Sequence, residues 1–125
     1  MMLKITLYLF FLLPLVALAD RIHPESYYQE YSKEWLGGEK EVTMPDGTRC
    51  DLVNSSHAFE IDFANKWAQA IGQSLHYAAQ TKKRAGVLLI MEHEGDGRFH
   101  KRIQSTIDHH KLPIDLIVIR QEQIN

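Results

Sequence analysis

Cysteine is almost absent from this chain, since Cys50 is the only one among 125 residues. A single cysteine cannot form an internal disulfide, so packing alone must hold the fold together. Cys50 lies in a stretch with strand-like alternation, where a cysteine most often behaves as a small buried apolar residue. The sequence therefore predicts a buried structural thiol at this position.

An excess of positive charge is also lacking. The chain has 14 lysine and arginine residues against 16 aspartate and glutamate residues, a formal net charge of −2. Proteins that bind nucleic acid tightly without sequence preference usually carry a net positive charge. The balance argues against such binding, although it suits a site that needs a cation before it can approach phosphate.

Several catalytic signatures are missing. No glycine-rich phosphate loop is present, and no nucleophile elbow supports a Ser-His-Asp triad. The seven histidines suggest zinc, but His93-Glu94 lacks a second histidine at the H-E-x-x-H spacing, and His109 and His110 point in different directions on a helix. A histidine acting as a general acid, His57 or His76, is a minor alternative.

The N-terminus carries a short basic head followed by an apolar or uncharged run of 15 residues, Ile5 to Ala19. The run ends in Ala17-Leu-Ala19, an A-x-A cleavage pattern, and is shorter than the roughly 20 residues of a transmembrane helix. We expect residues 1–19 to be a signal peptide cut after Ala19, with a retained membrane anchor as the alternative. The mature residues 20–125 would then be one periplasmic or secreted domain without stable membrane association.

Hydrophobic periodicity predicts the order α-β-β-β-α-β-α-β. Aromatic residues recur every four positions from Tyr27 to Trp35, which indicates a first helix with one aromatic face. A helix to about Lys82 follows three strands, and two continuous apolar runs later in the chain are typical of strands covered on both faces. The predicted strands are Glu39–Met44, Thr48–Val53, His57–Asp62, Gly86–Met91 and Ile114–Ile119. The pattern predicts an α/β domain with a mixed central sheet.

Three acids stand where two neighbouring strands can gather them. Glu60 and Asp62 alternate with apolar residues and should share one face of a strand. A turn-like tetrad before that strand would fold Asp51 back beside Glu60. Three carboxylates at such short distances repel one another. At neutral pH we therefore expect a divalent cation, Lys66, or both to lie beside them.

This arrangement resembles the metal-binding core of the PD-(D/E)xK nuclease superfamily. Gln73-Ser-Leu-His-Tyr77 matches the Q-x-x-x-Y motif of its RecB-like branch, and Lys66, Gln73 and Tyr77 would fall within roughly 60° of arc on one helix. The string from Phe59 to Ala78 is similar to small bacterial and phage proteins of this type. The resemblance covers about residues 35–92.

The resemblance implies a three-layer restriction-endonuclease-like fold that hydrolyses phosphodiester bonds of DNA, with RNA ranked second. Asp51 and Glu60 would bind Mg²⁺ or Mn²⁺, and Asp62 would complete the metal shell or act as a base on water. Lys66 would position that water or stabilise charge on the phosphate. Gln73 and Tyr77 would contact phosphates or orient the site.

The chain departs from the family pattern at one position. The family usually has a lysine two residues after the glutamate, and this chain has Asp62 there. Lys66 is the candidate for a lysine that has migrated to the next helix. The alternatives are structural: Asp62 caps that helix, Lys66 is a surface lysine paired with Asp62, and Gln73 and Tyr77 satisfy each other or face solvent. A non-catalytic periplasmic interaction module on a degenerate nuclease fold is the competing function.

Overall fold

The computed structural model describes residues 21–124, which form three α-helices and five β-strands in the predicted order α-β-β-β-α-β-α-β. The expected signal segment, residues 1–19, lies outside the described residues. Between residues 21 and 124, no helix combines the length and apolarity needed to cross a bilayer. The elements are α1 (Glu25–Leu36), β1 (Glu39–Thr43), β2 (Arg49–Val53), β3 (His57–Phe63), α2 (Trp67–Thr81), β4 (Arg84–Met91), α3 (Gly97–His110) and β5 (Ile114–Arg120).

The strands form one mixed sheet in the order β1-β2-β3-β4-β5. The first three strands pair antiparallel, whereas β3 with β4 and β4 with β5 pair parallel. A parallel pair needs a crossover connection, and α2 and α3 supply the two crossovers. The mixed sheet expected from the sequence is therefore present.

Helices pack against both faces of the sheet. Ala70 of α2 and Ile103 of α3 are fully buried in one apolar cluster together with Val87 of β4. On the opposite face, Tyr28 of α1 packs in a second cluster with Leu88, the next residue of β4. Because neighbouring strand residues point to opposite faces, the two clusters lie on either side of the sheet. The arrangement is compatible with a three-layer α/β fold.

The aromatic repeat of α1 is not its buried face. Tyr28 is fully buried, whereas Tyr27 and Trp35 are 37% and 50% exposed. The phenol of Tyr28 donates a hydrogen bond to Glu92, and its ring meets Phe63 edge to face at a centroid distance of 6.0 Å. The sequence predicted one aromatic face but not which aromatic residue is buried. Tyr28, one position beyond Tyr27, occupies the core, and its hydroxyl has a polar partner there.

Two backbone positions shape the strands. Gly86 of β4 lies under the ring of Phe59, and a Cβ at this glycine would be 2.2 Å from the Cδ1 atom of that ring. Glu41 in the middle of β1 has a φ of 55°, in the left-handed region that residues with a Cβ seldom occupy. The strand pairs regularly with β2 on either side of Glu41.

Candidate carboxylate site

The site forms where β2 and β3 stop pairing. Their backbone register covers only two positions next to the connecting turn. Beyond it, the carboxylate of Asp51 accepts a hydrogen bond from the backbone N–H of Ile61 at 2.8 Å. The thiol of Cys50 donates to the carbonyl of Phe59 at 3.4 Å. Side chains of β2 thus replace the backbone ladder and keep β3 satisfied while the two strands separate.

The three acids predicted from the sequence meet at this opening. Glu60 and Asp62 lie on the same face of β3 and are only 6% and 5% exposed. The carboxyl group of Glu60 lies within hydrogen-bonding distance of both Asp51 and Asp62. We call Asp51, Glu60 and Asp62 the carboxylate cluster.

Burial and mutual repulsion keep protons on this cluster in the metal-free chain. Burial first, and then the charges of Asp51 and Asp62, raise the pKa of Glu60 to about 10. Burial also raises the pKa of Asp51 and of Asp62 above their ordinary values. A carboxyl with such a pKa stays protonated at pH 7, so the cluster carries fewer than three negative charges.

A fourth acid, Glu25, approaches the cluster from the first turn of α1. Burial, followed by the charges of Asp51 and Asp62, raises the pKa of Glu25 to about 7. Sequence reasoning missed this residue. In the sequence, Glu25 is recognisable only as an acid in the first turn of a helix after Pro24. An acid is common at that position because the helix dipole favours negative charge there.

Lys66 lies near the cluster but not where the sequence placed it. The residue ends a short 3₁₀ turn, Ala64–Lys66. Its positive charge partly offsets the rise in pKa that burial causes in Asp62 and Glu25. The lysine is exposed and forms no salt bridge with Asp62 among the contacts of residues 21–124. The prediction that Asp62 caps α2 is wrong, because Asp62 lies within β3 and Lys66 itself is the cap residue.

Gln73 and Tyr77 occupy different environments on α2. Tyr77 is 6% exposed and packs with Cys50 and Ala58. Burial, then the charges of Glu60 and Asp51, raise the pKa of Tyr77 to about 12. Gln73 is exposed, and its side chain has no hydrogen-bond partner within the described range. Gln73 and Tyr77 are one turn apart on α2, as predicted, whereas Lys66 precedes the helix as its N-cap residue.

The two candidate histidines serve as links between elements. His57 Nε2 lies 2.6 Å from Asp115 Oδ2, and its Nδ1 lies 2.7 Å from the hydroxyl of Ser56. Arg84 also donates to Asp115, and these partners lower the pKa of Asp115 to about 2. This chain of contacts joins β3 to β5.

His76 of α2 lies against the turn between β1 and β2, with its Nε2 atom 2.7 Å from Asp46 Oδ2 and 3.3 Å from the hydroxyl of Thr48. Neither histidine is therefore placed as a group facing the carboxylate cluster.

The cluster has the donor chemistry of a hard cation. Carboxylate oxygens are the ligands that Mg²⁺ and Mn²⁺ prefer. In residues 21–124, no three histidine, cysteine, aspartate or glutamate side chains already surround a single ion position. A divalent cation that binds carboxyl groups displaces their protons. The donor chemistry of these residues suits such an ion, although their present positions do not form a ligand set within residues 21–124.

Comparisons with known proteins found no relative of this chain. No family model, no curated protein and no solved structure matches the chain. Any function must therefore be inferred from the chemistry of the site itself.

Proposed function

We propose that this protein is a metal-dependent phosphodiesterase that hydrolyses nucleic acid, DNA in the first place and RNA in the second, on a three-layer restriction-endonuclease-like fold. The observation that carries the proposal is the burial of Glu60 within hydrogen-bonding distance of both Asp51 and Asp62. Packing three acids together raises their pKa values and costs folding free energy, so a role in structure alone does not explain it.

A divalent cation would supply the missing positive charge. Asp51 and Glu60 would hold Mg²⁺ or Mn²⁺. When bound, the ion lowers the pKa of a water molecule and neutralises charge on the phosphate. Asp51 is held for this role by its bond to the Ile61 N–H, which fixes the direction of its carboxylate.

The remaining residues act around the scissile phosphate. Asp62 accepts the proton of the attacking water, because its carboxylate lies next to Glu60 and under the influence of the Lys66 charge. Lys66 is exposed at the rim, where its ammonium group can stabilise charge that develops on the phosphate oxygens. Tyr77 limits the space beside Glu60, and exposed Gln73 is available for a phosphate of the bound strand.

Export belongs to the same proposal. The residues 1–19 carry the pattern of a cleaved signal, so the enzyme would act in the periplasm or outside the cell on nucleic acid that it meets there.

A non-catalytic interaction module is the second candidate. It is favoured by the presence of Asp62 in place of the superfamily's usual lysine and by the exposure of Lys66, the residue that must substitute for it. A degenerate site would keep the acids without the cation that assists hydrolysis.

Plasmid cleavage separates the two candidates. The purified protein should nick or degrade plasmid DNA with Mg²⁺ or Mn²⁺ and should be inactive in EDTA. Asp51→Ala and Glu60→Ala should each abolish cleavage, whereas Glu34→Ala, which removes an exposed acid of α1, should not. Cleavage that survives both cluster substitutions, or calorimetry that detects no metal binding, would leave the interaction module as the better proposal.

A further inference from the structure

A cavity of about 400 Å³ opens at the end of β3 that carries Asp62 of the carboxylate cluster. It lies where β3 and β4 end and α3 begins, and its lining includes Phe63, which directly follows Asp62 of the cluster. The volume falls within the range of about 300–1,000 Å³ that is typical of small-ligand sites. The lining residues that matter below are Arg21, Phe63, Asn65, Arg98 and Phe99.

The acids of this cavity are already satisfied. Glu92 accepts hydrogen bonds from the backbone N–H groups of Ile22 and His23 and from the hydroxyl of Tyr28. Asp96 accepts two backbone N–H groups, at 3.0 and 3.2 Å, from the residues that follow β4. Because donors surround both carboxylates, much of their negative charge is offset within the protein.

The guanidinium groups of Arg21 and Arg98 lie over aromatic rings. The Cζ atom of Arg21 lies 3.8 Å from the ring centre of Phe63, and that of Arg98 lies 4.6 Å from the ring centre of Phe99. Neither arginine takes part in a salt bridge within residues 21–124, and both are exposed. Guanidinium groups in this state offer donors to phosphate and planar surfaces to a base.

We propose that this cavity binds one nucleotide of the nucleic-acid strand, next to the bond that is hydrolysed at the carboxylate cluster. Arg21 and Arg98 bind its phosphate, and the base lies against the stacked arginine and phenylalanine surfaces. Asn65 at the rim offers an amide to the base or sugar. The inference rests on the proposed function, because it names the part of the substrate that the hydrolytic site holds beside it.

Proximity joins the two sites. Arg21 lines the cavity and lies over the ring of Phe63, the residue that follows Asp62 in β3. Phosphate contacts fix the register of a bound strand, so a nucleotide seated at Arg21 would bring the adjoining phosphate toward Asp62. The cavity would therefore set how far a strand advances before it is cut.

Nucleotide binding can be measured without hydrolysis. The full protein, as produced by expressing cells, is titrated in EDTA with thymidine 5′-monophosphate, thymidine 3′-monophosphate, thymidine and inorganic phosphate. Amide resonances of residues 63–65 and 92–99 should shift with at least one of the two nucleotides. Thymidine and inorganic phosphate should each bind at least tenfold more weakly than that nucleotide.

Substitutions then locate the site. Arg21→Gln and Arg98→Gln should each raise the Kd for the nucleotide at least fivefold, and so should Asn65→Asp, which changes an exposed side chain. The matched control Lys101→Gln removes one exposed charge of α3 outside the cavity and should leave the Kd unchanged. Equal affinity for inorganic phosphate, or equal effects of Arg98→Gln and Lys101→Gln, would overturn the inference.

The two proposals fail in different ways. Nucleotide binding in EDTA without any metal-dependent cleavage would overturn the hydrolase and support the cavity. Cleavage that depends on Glu60, with an apparent KM unchanged by Arg21→Gln and Arg98→Gln, would overturn the cavity and support the hydrolase.

Discussion

The carboxylate of Asp51 is hydrogen-bonded to the backbone N–H of Ile61 at 2.8 Å, across the gap where β2 and β3 separate. One side chain thus has two tasks. It satisfies a backbone donor of β3 that has lost its strand partner, and it presents a negative charge to Glu60. The two tasks depend on different atoms and can be separated by substitution.

Asp51→Asn should separate them, because an amide oxygen can still accept the Ile61 N–H while the charge is lost. We expect this variant to unfold in urea at close to the wild-type free energy, whereas Asp51→Ala leaves a buried donor unpaired and costs about 1–3 kcal/mol. Both should lose metal-dependent cleavage. Equal stability of the two variants would show that the hydrogen bond is not needed.

The metal-free protein should lose stability as pH rises, because of Glu60. The folded chain keeps a proton on Glu60 up to a pKa of about 10, whereas the unfolded chain releases it near 4.5. This contribution is complete below pH 4.5 and is lost progressively as pH increases toward 10. Glu60→Gln should therefore be more stable than the parent at pH 8 in EDTA by at least about 1.4 kcal/mol, the equivalent of one pKa unit.

Urea unfolding at a series of pH values checks this expectation. The difference between Glu60→Gln and the parent should shrink toward pH 4, while the control Asp108→Asn should follow the parent throughout. Added Mg²⁺ should stabilise the parent at pH 8 but not Glu60→Gln. A parent and variant that respond identically to pH would contradict the raised pKa of Glu60.

Lys66→Gln should reduce plasmid cleavage by about 100-fold or more, because the ammonium group is expected to act on the charge that develops on phosphate. Metal affinity should change little, since Lys66 is exposed and is not a ligand. Cleavage rates and calorimetric Mg²⁺ titrations give the two quantities. Lys101→Gln is the matched control, and full activity of Lys66→Gln would remove this residue from the mechanism.

Gly86→Ala should destabilise the fold, because the new Cβ would overlap the ring of Phe59 at 2.2 Å. Overpacking of this kind typically costs about 1–3 kcal/mol. Gly72→Ala is the matched comparison, since nothing lies within 4 Å of its Cβ and alanine is the better helix former in α2. Thermal denaturation should show opposite shifts, and a harmless Gly86→Ala would mean that Phe59 can move aside.

The order of elements could be predicted from the sequence because apolar periodicity depends on local chain geometry. The same local rules predicted that Asp51, Glu60 and Asp62 would meet, since strand alternation and one turn determine which side chains share a face. Cys50 was expected to be a buried thiol, and the structure places it fully buried between β2 and β3. These predictions required no knowledge of distant packing.

Other residues depend on tertiary contacts that the sequence does not reveal. Glu25 reaches the cluster only because α1 packs across the sheet, about 26 residues before Asp51 in the chain. Tyr28 is buried although it is not part of the predicted aromatic repeat, and its hydroxyl donates a hydrogen bond to Glu92. Lys66 falls in a 3₁₀ turn and not in α2, so the helical arc predicted for Lys66, Gln73 and Tyr77 applies only to the last two.

The left-handed backbone of Glu41 has a consequence for the outer border of the sheet. β1 is the edge strand, and beside Glu41 it carries Glu39 and Lys40. A φ of 55° departs from the extended conformation of a regular strand, so we expect it to hinder a foreign strand from pairing along the free edge of β1. A regular extended conformation at this position would present a longer unbroken template for strand-by-strand self-association.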